Sequence, residues 1–138
     1  VSVDYSAFEA AVDALKGRIH AATAAGVEQG ADLVKEAIQE NLARLHYPPA
    51  SPPGEPPAMR TGFLHDEVYA TSAPNETGAS AEIWPSTVYA RIQELGGDAG
   101  RDHRSHLPPR PYVEPALEAS ADHFGQIMAQ AWAEAIGG

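Results

Sequence analysis

A chain of 138 residues with 19 acidic against 9 basic side chains carries a formal charge of −10, and its length is that of one domain spanning residues 1–138. This balance lacks the basic footprint of a nucleic-acid binder, and the absence of cysteine excludes a disulfide framework or a thiolate metal site. No apolar run approaches the ~20 residues of a membrane span, and the first residues do not read as a secretory signal.

The chain opens on a helical arm, residues 7–46. Ser6-Ala7-Phe8-Glu9 has the form of a capping box. The stretch that follows is alanine-rich and free of proline as far as Tyr47. Phe8, Val12, Leu15, Ile19, Ala22 and Gly26 share one face; Val34, Ile38, Leu42 and Leu45 continue it, rotated around the axis. One uninterrupted helix would be about 60 Å long, against a radius of gyration near 14 Å for a compact domain of this size. The arm must therefore project, pack on a neighbouring subunit, or break. Gly26 and Gly30 sit where the stripe rotates and predict a kink or interruption within residues 25–31.

Residues 47–62 form a proline-rich strap, with six prolines between Pro48 and Pro57. Proline fixes φ, removes an amide donor and extends the residue before it, so the strap is polyproline-like and stiff. It is either a connector or a docking element.

Residues 63–113 are the sheet region. Phe63–Ala73 is rich in strand formers, Pro74–Gly78 is a turn and Ala79–Trp84 alternates, which predicts a β-hairpin. Asn75-Glu76-Thr77 matches a glycosylation sequon that reads as a turn. Ser86–Gly97 predicts a short helix with a hydroxyl cap and a Val88, Ile92, Leu95 stripe. Gly96–His106 reads as a mobile polar loop, and Tyr112-Val113 as a possible third strand. Residues 114–136 form the terminal helix, with Pro115 in its first turn and a frayed end at Gly137-Gly138. Leu117, Ala121, Phe124, Met128, Ala131 and Ala135 line one face, flanked by Ile127 and Trp132. The expected class is α+β: a small antiparallel sheet covered by long terminal helices.

Chemistry is sparse. His103-x-x-His106 beside Asp102 has ligand-type residues on a loop with no rigid support, so no metal is expected there. Arg101, His103, Arg104, His106 and Arg110 make a locally basic patch of the kind a solvated loop carries. There is no Gly-x-Ser-x-Gly elbow and no phosphate-cradling glycine loop. The sequence points away from an enzyme and implies no cofactor.

What remains is spacing. Thr61-Gly62-Phe63-Leu64 follows Arg60; Tyr89-Ala90 precedes Glu94 and Gly96; Arg110-Pro111-Tyr112-Val113 leads to Pro115-Ala116-Leu117. In that order, after a long alanine-rich helix, the chain resembles the tail-completion, or head–tail joining, proteins of long-tailed bacteriophages, the minor tail component family of lambda-like phages. The likeness runs over residues 7–136 and departs in the proline-rich strap and the loop 97–106.

The resemblance implies a structural virion protein, made in the bacterial host cytoplasm and placed in the neck or at the top of the tail. It would form a hexameric ring around the DNA channel, contacting neck adaptor or stopper proteins and the tail tube or terminator. DNA would pass without specific binding. A tail terminator capping the tube and a non-viral protein-binding module are the alternatives. Within the motifs, Gly62 and Gly96 are expected to allow turns forbidden to other residues. Arg60 and Arg110 are expected to pair with a carboxylate, Glu94 or a neighbour's, or Arg110 to lie over the apolar face beside Tyr112. Tyr89, Trp84 and Tyr112 read as core or sheet-face residues, and Trp132 as core or interface.

Overall fold

A computed structural model describes residues 2–137. The order of elements is α1 (Ser6–Ala43), α2 (Phe63–Asp66), β1 (Val68–Asn75), β2 (Gly78–Pro85), α3 (Ala90–Leu95), β3 (Gly97–Ala99), β4 (Ser105–Leu107) and α4 (Glu114–Gly137). The class is α+β, with a long first helix, an antiparallel hairpin, a short middle helix and a long terminal helix.

α1 is one continuous helix of 38 residues, with no interruption at 25–31. The two glycines expected to interrupt it are instead where α4 comes closest. A Cβ at Gly30 would run into the Phe124 ring, and one at Gly26 into the Met128 sulfur. Each glycine costs the helix about 1 kcal/mol of propensity, which close packing of two helices offsets. The start also differs from expectation. Ser6 lies inside the helix, and the Asp4 carboxylate, not the serine hydroxyl, accepts a first-turn amide, from Ser6 N at 2.9 Å. That bond holds the Asp4 carboxyl below its ordinary range.

α4 runs antiparallel to α1: Tyr112 O accepts from Asn41 at one end, and Ala135 O accepts from Arg18 at the other. Its inward stripe is Ala116, Ser120, Phe124, Met128 and Ala131; Leu117 and Ala121, expected inside, face out. The helix begins at Glu114 and sets the phase of the stripe one residue earlier than the leucine suggests. It continues through Gly137, and the rest of the frayed end expected at Gly138 lies outside the described residues.

The hairpin β1–β2 lies along α1 and pairs from Val68↔Pro85 to Asn75↔Gly78, closing on the two residues Glu76 and Thr77. Asn75 Oδ1 accepts from both the amide and the hydroxyl of Thr77, each at 3.0 Å, so this asparagine is engaged in the turn. Tyr69 and Trp84 sit opposite each other on the outer face with ring centroids 6.0 Å apart. The strand begins at Val68 rather than Phe63, because Gly62, at φ 79°, turns the chain into the single helical turn of α2.

The loop expected after Gly96 contains a second small hairpin, β3–β4, with Gly97 opposite Leu107. His106 Nδ1 and Asp98 Oδ1 are 3.1 Å apart across it. Tyr112 and Val113 are not a strand; they form the approach to α4. α3 is shorter than expected, beginning at Ala90, so Val88 of the supposed stripe is fully exposed.

The core lies at the C-terminal half of α1, where Val34, Ile38 and Leu42 pack on Val68, Tyr112 and Ala116. Each such burial contributes roughly 1.5–3 kcal/mol. Among the described residues nothing comparable covers the other end. Gly78, at the hairpin tip, reaches only as far as Thr23, and α4 ends near Arg18. The residues of α1 before Gly17 extend beyond both by about 15 Å.

Candidate functional site

The three sequence segments singled out above are far apart in the chain and meet at the C-terminal end of α1. Their assembly starts from Glu94, on α3. One of its carboxylate oxygens accepts from Tyr112 N at 2.7 Å and Val113 N at 2.9 Å; the other accepts from Glu114 N at 3.0 Å. The Glu114 amide opens α4 and those of Tyr112 and Val113 lie just before it, at the end where the helix leaves donors without internal partners and the macrodipole favours negative charge. A glutamate from a different element therefore caps α4. Neither Arg60 nor Arg110 pairs with Glu94, the partner within the chain that was one of the expectations for them.

Arg110 does something else. Its Nε donates to Ser51 O at 3.0 Å, and its amide donates to Gln93 O at 2.7 Å. With Gly54 N donating to Pro109 O at 3.0 Å, these bonds hold the proline strap against the second proline segment. The strap is closed at its base, where Tyr47 N donates to Met59 O and Met59 N to Leu45 O. Ser51, Pro56 and Pro57 are buried. The strap thus docks on its own chain.

Tyr112 is fully buried and its hydroxyl donates to Ala90 O at 3.1 Å. Burial, reinforced by the nearby Glu94 and Tyr89, pushes its phenol well above the ordinary 10.0. Pro111 leads into it, and Gly96 permits the chain to pass behind: a Cβ there would lie 2.7 Å from Leu107 O and 2.8 Å from Pro109 N. Tyr112→Phe is expected to cost about 0.5–1.5 kcal/mol, the scale of one hydrogen bond, because Ala90 O lies in the first turn of α3 and keeps its helical partner. The sign of the pH effect follows from the raised phenol. The unfolded chain loses this proton near pH 10 and the folded chain keeps it, so the tyrosine's stabilisation is complete below pH 10 and falls above it. Urea unfolding of both chains from pH 8 to 11 checks this: the difference between them should shrink on the alkaline side.

Beside the clamp is an open cavity of about 460 Å³ walled by the first two segments, with Leu42, Met59, Gly62, Phe63 and Tyr89 among its lining. Thr61 Oγ accepts from Phe63 N at 3.3 Å and orders the turn; Leu64 packs against the core. At the rim, the Arg60 guanidinium lies 4.6 Å from the centroid of the Tyr47 ring. No family model matches the chain, and neither a curated protein nor a solved structure matches it. The phage resemblance stands on the quoted residues alone.

Of the expected site residues, Arg60, Thr61, Gly62, Leu64 and Tyr89 gather around the cavity, and Glu94, Gly96, Arg110, Pro111 and Tyr112 form the clamp behind it. Trp132 belongs to neither. Its indole donates to Thr23 Oγ at 2.9 Å, fastening the last turns of α4 to the middle of α1, with its other edge exposed. Sequence reading missed Ser51, Gln93 and Asn41, which act through backbone carbonyls or as amide donors and carry no spacing signal. Among the described residues, no three His, Asp or Glu side chains come together as a metal site. No described helix is long and apolar enough to cross a membrane.

Proposed function

We propose that the chain is a non-catalytic structural component of a tailed-phage virion, acting in head–tail joining as one subunit of a hexameric ring. The observation that carries the assembly part of this reading is surface area. The chain exposes 9308 Å², whereas a compact monomer of 14.6 kDa exposes about 6,900 Å². The surplus of roughly 2,400 Å² exceeds the ~800 Å² per partner of a standard interface, twice over, as a ring subunit with two neighbours requires. The place of the ring in a phage neck comes from the resemblance.

Charge supports the passage of DNA. Glu28, Asp32, Glu36 and Glu40 recur every fourth residue on α1, all exposed, and no cation pairs with them among the described residues. A lumen faced by six such ridges repels phosphate and lets DNA slide. In the strap Ser51, Pro56 and Pro57 are buried against the chain itself, so a proline-based binding module would rest on the exposed Pro48, Pro49, Pro52 and Pro53 alone. Deleting the gene from its phage tests the role. Head–tail joining predicts full heads and finished tails of normal length that stay separate. Overlong tubes would assign the tail-terminator role instead, and normal joined particles would refute both.

A further inference from the structure

The two ends of α1 are complementary. The N-terminal end is convex and apolar at its tip, with Tyr5 and Phe8 62% and 68% exposed. Residues 2–15 contain Asp4, Glu9 and Asp13 and no lysine or arginine. The C-terminal end holds the concave site: the 460 Å³ cavity, with aromatic walls from Phe63 and Tyr89. Its rim cation, Arg60, has no carboxylate partner among the described residues and rests on Tyr47. Phe8 and Leu42, one at each end of the same helix, are about 50 Å apart, so a chain cannot fill its own cavity.

We propose that the first two turns of α1 in one copy occupy this cavity in the next copy, Phe8 entering between Phe63 and Tyr89 and Glu9 facing Arg60. The contact is a helix laid into a groove of mixed polar and apolar lining, with one aromatic anchor. Because the two surfaces differ, it is heterologous, and it propagates around a ring when the rotation closes. It covers Phe8 and Phe63, two of the large apolar side chains that the isolated chain leaves exposed. The inference rests on the ring reading above and names the residues that would join its subunits.

Because the chain has no cysteine, two single-cysteine variants can be mixed and treated with a short bismaleimide. Ala11→Cys marks the arm beside Phe8, and Thr61→Cys marks the cavity. The expected product joins position 11 of one copy to position 61 of another. Adding Phe8→Asp should abolish it and weaken self-association about 30-fold or more, the scale of one lost aromatic anchor. Phe8 lies outside the core, so melting curves that coincide at dilutions where both chains are monomeric show that this loss is not misfolding. Arg60→Glu should weaken association as well, and Glu9→Arg in the same chain should restore it. Products joining 11 to 11 would mean that arms pack on each other, and would overturn the proposal. So would a ring-sized assembly with no 11-to-61 product, which leaves the ring reading standing. A chain that stays monomeric at millimolar concentration would overturn both.

Discussion

Glu94→Ala is expected to lower the unfolding free energy by about 2–3 kcal/mol, the scale of losing a charged helix cap shared by two part-buried amides and one exposed amide. The carboxylate serves Tyr112, Val113 and Glu114 amides, all within 3.0 Å, and it is the cap of a 24-residue helix. Its loss also loosens Tyr112, whose ring fills the core between α1 and α3. Glu94→Gln keeps one acceptor oxygen, sets an NH₂ group against the amides and removes the favourable charge at the helix start, so it should cost about half as much. Urea unfolding of the three chains at neutral pH measures the series. Equal stability of Glu94→Ala and the parent would show that water replaces the clamp.

Gly96→Ala is expected to cost about 2–4 kcal/mol, more than an ordinary glycine replacement. Two costs coincide. The residue sits at φ 69° with ψ −178°, a conformation that a side chain strains. Its Cβ would also meet Leu107 O and Pro109 N, which are backbone and cannot rotate away. The chain must shift there, and the shift reaches Arg110 and the strap through the Pro109 carbonyl. Thermal unfolding checks the magnitude. Limited proteolysis adds a location: the strap around Gly54 should become the first site of cleavage.

Helix and hairpin were legible in the sequence because their signals are local. An alanine-rich stripe without proline is α1, and alternation about Asn75–Gly78 is β1–β2. The interruption expected at Gly26 and Gly30 is absent for a physical reason. Glycine weakens a helix and also admits a close neighbour, and only the position of Phe124 and Met128 on α4 decides between the two. Phe63 and Leu64 are strand formers by propensity, yet a left-handed Gly62 and the needs of the core wind them into α2. Val88 fits a helical stripe on paper, but the helix starts after it. The grouping of Arg60, Thr61, Gly62 and Tyr89 around one cavity was foreshadowed by the motif order. The Glu94 clamp was not, since side-chain spacing carries no record of which backbone amides lack partners.

Sedimentation equilibrium of the purified chain over a wide concentration range is the most direct check on whether its excess surface is meant for copies of itself. An assembly approaching six times 14.6 kDa is the predicted result. A single species of 14.6 kDa at every concentration would contradict it.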